Sequence, residues 1–311
     1  MTTAPSSVRL PAPTDVGGVV VTFHPDLEFE RRLDAIASEV NFLVVVDNTA
    51  DPATAERLDA ACRARGAEFV PSRENVGLGA ALNRAFAMLS ERGFTWAIAF
   101  DQDSTPQLGF RRALLATAGD SAAVAGANWR DEARPDAPAR HLCAHRWIPG
   151  AFRRPAAAGR DLDDVTCVIT SGSLFHLPTW RQLGGFDESL FLDLVDTDYC
   201  LRARSAGHAV RVSAAAQLLH RRGAKRPVRF LGRGWWPAFM PPLRLRYLFR
   251  NRIRLFARHG WRAPHWVAFE FIYATKILAE IALLEDQKAA KIAACAHGTL
   301  DGLAGRSGRL R

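Results

Sequence analysis

Three groups of residues have the types and spacing for chemistry on a phosphate-bearing substrate. Asp101-Gln102-Asp103 sets two carboxylates close together, where they can bind a hard divalent cation that neutralises a diphosphate. The run Asp193-Leu194-Val195-Asp196-Thr197-Asp198 brings further carboxylates to the start of a helix, where the helix dipole favours a residue such as Asp198. His220 closes the apolar stretch 210–219 ahead of a basic loop. A lone histidine is more often structural than ligating, so its place in the fold has to decide its role.

These residues need elements to position them. Apolar runs at 17–23, 42–46, 67–70 and 96–100 read as strands, and 27–40, 54–65 and 78–92 read as helices between them. Such alternation predicts βαβ units and an α/β fold with a mainly parallel sheet. Ligands then bind beyond the carboxyl ends of the strands. Thr22, Asp47, Asn48, Asp101 and Asp103 all end strands and should line one crevice. Asn75 and Gly77 precede a helix N-terminus, whose backbone N–H groups favour an anion. After a Pro- and Arg-rich connection at 130–160, a strand at 165–170 should lead into Ser171-Gly172-Ser173, where glycine permits close backbone approach. A helix at 199–206 should then end at Gly207.

The chain has 311 residues, 48% of them apolar, enough for a substantial core with a helical appendage. We expect a flexible segment at 1–14, a catalytic domain at 15–225 and a basic, aromatic helical region at 226–311. Five scattered cysteines without a CxxC pair suggest neither a disulfide framework nor a zinc knuckle, and they fit a reducing cytoplasm. The N-terminus lacks a signal-peptide core, and no stretch supplies the roughly 20 uncharged apolar residues that span a bilayer. The net charge of +9 is uneven: residues 199–269 hold sixteen Lys or Arg and no Asp or Glu. That segment suits phosphate, in nucleic acid or in anionic lipid. The arginines at 244, 246, 250, 252, 254 and 258, beside the aromatics at 235–239, suit a membrane interface.

The order of motifs resembles family 2 glycosyltransferases with the GT-A fold, and within them the rhamnosyltransferase-like members. The matching pieces are Val20-Val21-Thr22-Phe23, Val46-Asp47-Asn48, the 74–83 run, Phe100-Asp101-Gln102-Asp103-Ser104, Gly184-Gly185-Phe186-Asp187 and 195–202. The resemblance implies a nucleotide-sugar donor, with Thr22 and Asp47 at the nucleoside and Asn48, Asn75, Gly77, Asp101 and Gln102 close to the donor. It implies Mg²⁺ or Mn²⁺ on Asp103 and on His220, which lies about two dozen residues after the base. Asp196 takes the place of the general base of an inverting transfer, with Asp198 orienting or capping. Val195 stands where many relatives have a second acid. Ser171 and Gly172 would floor the acceptor pocket. The late segments 246–252 and 297–302 point to dTDP-L-rhamnose as donor, with a UDP-hexose or UDP-galactofuranose as rival. The acceptor is expected to be a lipid-linked or polysaccharide glycan, and the enzyme to sit peripherally at the cytoplasmic face of an anionic membrane. A nucleic-acid-binding protein is the rival from another class; with no recognition motif among the arginines, no nucleic-acid partner is expected.

Overall fold

The computed structural model describes residues 15–119, 121–143, 152–156, 159–221 and 227–310. The first half alternates as expected: β1 (Val16–Thr22), α1 (Phe29–Ser38), β2 (Phe42–Asp47), α2 (Pro52–Arg63), β3 (Glu68–Pro71), α3 (Leu78–Glu91) and β4 (Trp96–Asp101). Then come β5 (Ser104–Pro106), α4 (Phe110–Ala118), β6 (Ala122–Asp131), β7 (Arg134–Pro138), β8 (Arg140–Cys143) and β9 (Phe152–Pro155). β10 (Ser173–His176), α5 (Leu177–Gln182), a 3₁₀ turn at Glu188–Leu190, α6 (Val195–Ser205) and β11 (Ala209–His220) follow. A hairpin of β12 (Val228–Phe230) and β13 (Arg233–Trp235) leads to α7 (Pro242–His259), α8 (Pro264–Leu284) and α9 (Lys288–Leu303).

The main sheet runs β3-β2-β1-β4-β10-β6-β11-β5, with β7 on β6. β1, β2, β3 and β4 are parallel, while β10 enters antiparallel between β4 and β6. This is the mixed, mainly parallel α/β sheet of the GT-A fold. β1 and β2 read as unbroken apolar runs because helices cover both faces, giving two separate core clusters. Register does the functional work: Thr22 lies opposite Asp47 and Val21 opposite Asp101, so the strand ends are level.

Three expectations need correcting. Residues 165–170 are not a regular strand, and the strand comes after Ser171-Gly172 instead. Gly172 sits at φ +72, a left-handed turn that sends Ser173–His176 back along β4, and its N–H donates to Ala99 O at 2.8 Å. Helix α6 opens at Val195 and not at 199, because Leu194 caps it in a left-handed conformation. Asp196 and Asp198 therefore lie in its first turn, where the dipole stabilises anions. The connection at 130–160 is partly structured, since its described residues include β7, β8 and β9.

Candidate active site

Strand ends bring the expected metal ligands together. Asp101 ends β4, Asp103 follows one residue beyond Gln102, and His220 ends β11, whose last residues pair with β5. One ligand atom from each of these three lies within 4.8 Å of the others. His220 Nδ1 is 3.3 Å from an Asp103 oxygen, and Nε2 is 3.7 Å from Asp101. Burial first, and then the Asp101 charge, push the Asp103 carboxyl above the usual range although His220 opposes them. A divalent cation would relieve both costs, and two hard carboxylates with an imidazole suit Mg²⁺ or Mn²⁺.

Ser171 lies under this cluster. Its hydroxyl bonds the Ser104 hydroxyl, which in turn sits 3.1 Å from His220 Nδ1, and it accepts the Asp101 N–H at 3.1 Å. Gly172 is a packing glycine, for a Cβ there would stand 2.7 Å from Leu218 Cδ2. The pair expected to floor the acceptor pocket is thus buried beneath the Asp101, Asp103 and His220 cluster. One residue earlier, the Thr170 N–H donates to Asp196 Oδ2 at 3.1 Å. Consecutive residues therefore hold the carboxylate on α6 and the cluster at the strand ends.

Asp196 and Asp198 share a helical turn, yet their environments push them in opposite directions. Burial raises Asp196 to about 6, against the lowering effect of the Thr197 and Thr170 N–H groups. Burial would raise Asp198 too, but His259, Arg202 and Arg258 hold it down at about 2. Arg202 Nε, an Arg258 nitrogen and His259 Nε2 reach it at 2.7, 2.8 and 2.9 Å. Two carboxylates pushed apart in this way differ in what they can do: one can exchange a proton near neutral pH and the other stays an anion. Asp198 is fully buried and so meets protein rather than donor.

The residues expected at the nucleoside cluster as well. Asp47 Oδ1 accepts the Thr22 and Thr49 hydroxyls, each at 2.7 Å. Asn48 donates to Gly77 O at 3.3 Å, while among the described residues its buried Oδ1 has no partner, and neither has the Ser72 hydroxyl. The Gln102 amide both donates to and accepts from the Phe23 backbone, tying the end of β4 to the end of β1 beside Thr22. The amides at the start of α3 also look inward. Gly77 N–H goes to Asn75 Oδ1 at 2.9 Å and Leu78 N–H to Phe191 O at 2.7 Å, so neither points at an anion.

Sequence reasoning missed the residues that shape the approach to Asp196. Phe191, Asp193 and Leu194 all have left-handed backbones, with φ of 65, 57 and 62. Each such residue costs on the order of 1–2 kcal/mol, so something must hold them. The six arginines of α7 were expected at a membrane, but all six have protein partners. Arg244 forks onto Asp193, Arg246 pairs with Asp301, Arg252 with Glu270, and Arg258 with Asp187 and Asp198. Arg250 and Arg254 bind the backbone of 189–190. The sequence carried no signal for this, because the segment read as a basic surface.

No protein-family model matches the chain. The chain is 26% identical over 309 residues to the dTDP-rhamnosyl transferase RfbF of Shigella flexneri, covering 95% of this chain and 97% of that protein. Among solved structures, it superposes on mannosyltransferase PcManGT from Pyrobaculum calidifontis, in complex with GDP-Man and Mn²⁺. The TM-score is 0.57 at 15% identity, over 96% of this chain and 90% of that one. It also superposes on GalNAc-T7 with UDP, GalNAc and Mn²⁺, with a TM-score of 0.57 at 12% identity, over 78% of this chain and 47% of that one.

Proposed function

We propose that this chain, a glycosyltransferase of the GT-A fold resembling rhamnosyltransferases, transfers L-rhamnose from dTDP-L-rhamnose with inversion, using Asp196 as general base. One observation carries the reading: Thr170 and Ser171, adjacent in the chain, hold Asp196 on one side and the Asp101, Asp103 and His220 cluster on the other. A base for the acceptor and a seat for the departing diphosphate thus share one short segment. Asp101, Asp103 and His220 would hold a divalent cation, which when bound supplies charge neutralisation for the diphosphate. Asp196, raised toward neutrality, takes the proton from the acceptor hydroxyl. Thr22, Asp47 and Asn48 bound the nucleoside crevice. The dTDP-L-rhamnose assignment draws on the likeness to the Shigella protein.

A thermal-shift panel tests this, because stabilisation grows with ligand over its dissociation constant. dTDP with Mn²⁺ or Mg²⁺ should raise Tm more than UDP or GDP, and EDTA or Asp103→Ala should abolish the shift. A larger shift with UDP than with dTDP reassigns the donor to a UDP-hexose or UDP-galactofuranose. A shift indifferent to metal removes the metal from the reading.

The acceptor we propose is a lipid-linked or polysaccharide glycan at the cytoplasmic face of a membrane. Among the described residues no helix is long and apolar enough to cross a membrane. A peripheral contact draws support from α8 rather than α7: Phe271, Ile272 and Leu283 are 60%, 69% and 58% exposed, and Trp261 just before the helix is 82% exposed. The two acids of α8, Glu270 and Glu280, are buried, so its outer face carries no carboxylate to repel anionic lipid. No nucleic-acid partner is proposed.

A further inference from the structure

Residues 190–194 form a short bridge between the two halves of the site. At one end Phe191 O accepts the first N–H of α3, and Gly77 beside it leaves no room for a Cβ, which would stand 2.7 Å from that oxygen. At the other end Leu194 caps α6, and Leu194 O accepts the Asp198 N–H at 2.9 Å. Asp196 lies two residues past the cap. Three of the five bridge residues have left-handed backbones that their side chains disfavour. Left to itself, this segment would relax and turn the first residues of α6 with it.

α7 prevents that from the outside. Asn251 is fully buried, and its Nδ2 reaches Leu190 O, Leu192 O and Asp193 O at 2.9, 2.6 and 3.0 Å. Its Oδ1 accepts Arg250 Nε at 3.0 Å, which fixes the amide orientation. Arg250, also fully buried, donates to Leu190 O at 2.9 Å. Arg244 closes the outer end with a fork onto the Asp193 carboxylate at 2.9 and 3.1 Å. Phe191 stacks on Tyr247, with ring centroids 5.1 Å apart. A single helix thus holds three of the five carbonyls of a strained loop that ends where the base helix begins.

We propose that Arg244, Arg250 and Asn251 are positioning residues for the transfer step, holding the 190–194 loop so that Asp196 faces the acceptor hydroxyl. The inference rests on Asp196 being the base. The groups around the nucleoside and the diphosphate hang from β1, β2, β4 and β11, whereas Asn251 and Arg250 donate to the 190–194 loop and Arg244 to Asp193. Loosening the clamp should therefore lower kcat and leave nucleotide binding in place.

The test compares Arg244→Gln, Asp193→Asn, their double variant, Asn251→Ala and Asp196→Asn. Turnover and the affinity for dTDP and UDP with Mn²⁺ are measured for each. Arg244→Gln, a half-exposed change, should lose about tenfold in kcat and Asn251→Ala about a hundredfold, with nucleotide affinity within about threefold of the parent. Arg244→Gln and Asp193→Asn should cost the same, and the double variant no more than either, because the two residues act as one contact. Additive losses would mean that Arg244 touches the acceptor directly, which overturns its part in the clamp. Unchanged kcat in Arg244→Gln overturns the proposal even if Asn251→Ala fails to fold, and so does a parallel loss of nucleotide affinity. Asp196→Asn separates the two ideas. An active Asp196→Asn discards the base assignment, whereas an inactive Asp196→Asn beside a fully active Arg244→Gln discards the clamp alone.

Discussion

The strand-end crevice and helix α7 both gather charged side chains, and they treat those charges in opposite ways. In α7 the arginines are settled: each has a carboxylate or a carbonyl partner within the protein. In the crevice the Asp101, Asp103 and His220 side chains converge on one point, and Asp196 accepts only backbone N–H groups at its two oxygens, apart from a long contact with the Thr197 hydroxyl. Charge neutralised by protein builds architecture. Charge held at a cost, with its proton affinity displaced, is available for chemistry. The contrast reappears inside one helical turn, where Asp198 belongs to the first kind and Asp196 to the second.

The most damaging change for activity should be Asp196→Asn, which keeps the shape but cannot take a proton. Loss of a general base costs about 10² to 10⁴ in rate. Steady-state kinetics should show turnover falling by that much with donor binding intact, since the lost interaction belongs to the transition state. Retained turnover would move the base elsewhere and erase the distinction between the two aspartates.

For stability the order reverses. Asp198→Asn leaves Arg202, Arg258 and His259 around a neutral group, and breaking such a buried arrangement costs on the order of 3 kcal/mol. Thermal or denaturant unfolding at pH 7 should show it. Asp198 is held at about 2, below the usual carboxylate value, so its contribution is present above about pH 4 and is lost as pH falls toward 2. The gap between variant and parent should therefore close in acid. A gap that persists unchanged at pH 2 would show that the anion is not what stabilises this turn.

The pH profile of turnover should report the other aspartate. Asp196 titrates at about 6 and must be ionised to act, so turnover should fall roughly tenfold for each unit below that value and level off above about 7. Its effect on stability has the opposite sign to that of Asp198: the raised value favours the protonated folded form, a contribution present below about pH 4 and lost as pH rises through 6. A rate profile flat between pH 5 and 8 would count against Asp196.

The crevice was legible because its parts are local. Apolar runs ending in Asp47-Asn48 and Asp101-Gln102-Asp103 declare both strand and strand end, and parallel register then brings those ends level. The α7 clamp was not legible, since nothing near Asn251 tells that its amide meets carbonyls about sixty residues earlier. A run of arginines reads as surface until each partner is known. The strand expected at 165–170 failed for a related reason: Val165-Thr166-Cys167-Val168-Ile169-Thr170 has strand propensity, but the left-handed turn at Gly172 decides which residues lie beside β4.

The smallest expected effect concerns the membrane, and it follows from the same contrast. A sequence with sixteen basic residues and no acid between 199 and 269 predicts binding to anionic vesicles driven by charge, each cation near the surface adding about 1 kcal/mol and the whole failing in salt. Four of the six α7 arginines pair with carboxylates within the protein and the other two are tied to backbone carbonyls, which removes much of that attraction. If α8 makes the contact, the affinity comes chiefly from Trp261, Phe271, Ile272 and Leu283, whose burial in the acyl boundary depends little on ionic strength. Sedimentation with vesicles containing anionic lipid should then change by less than about tenfold between low and moderate salt. Ile272→Ser with Leu283→Ser should weaken it, and Arg246→Gln should not. Steep salt dependence with insensitivity to the α8 changes would return the membrane contact to the basic residues and show that pairing within the protein had not silenced them.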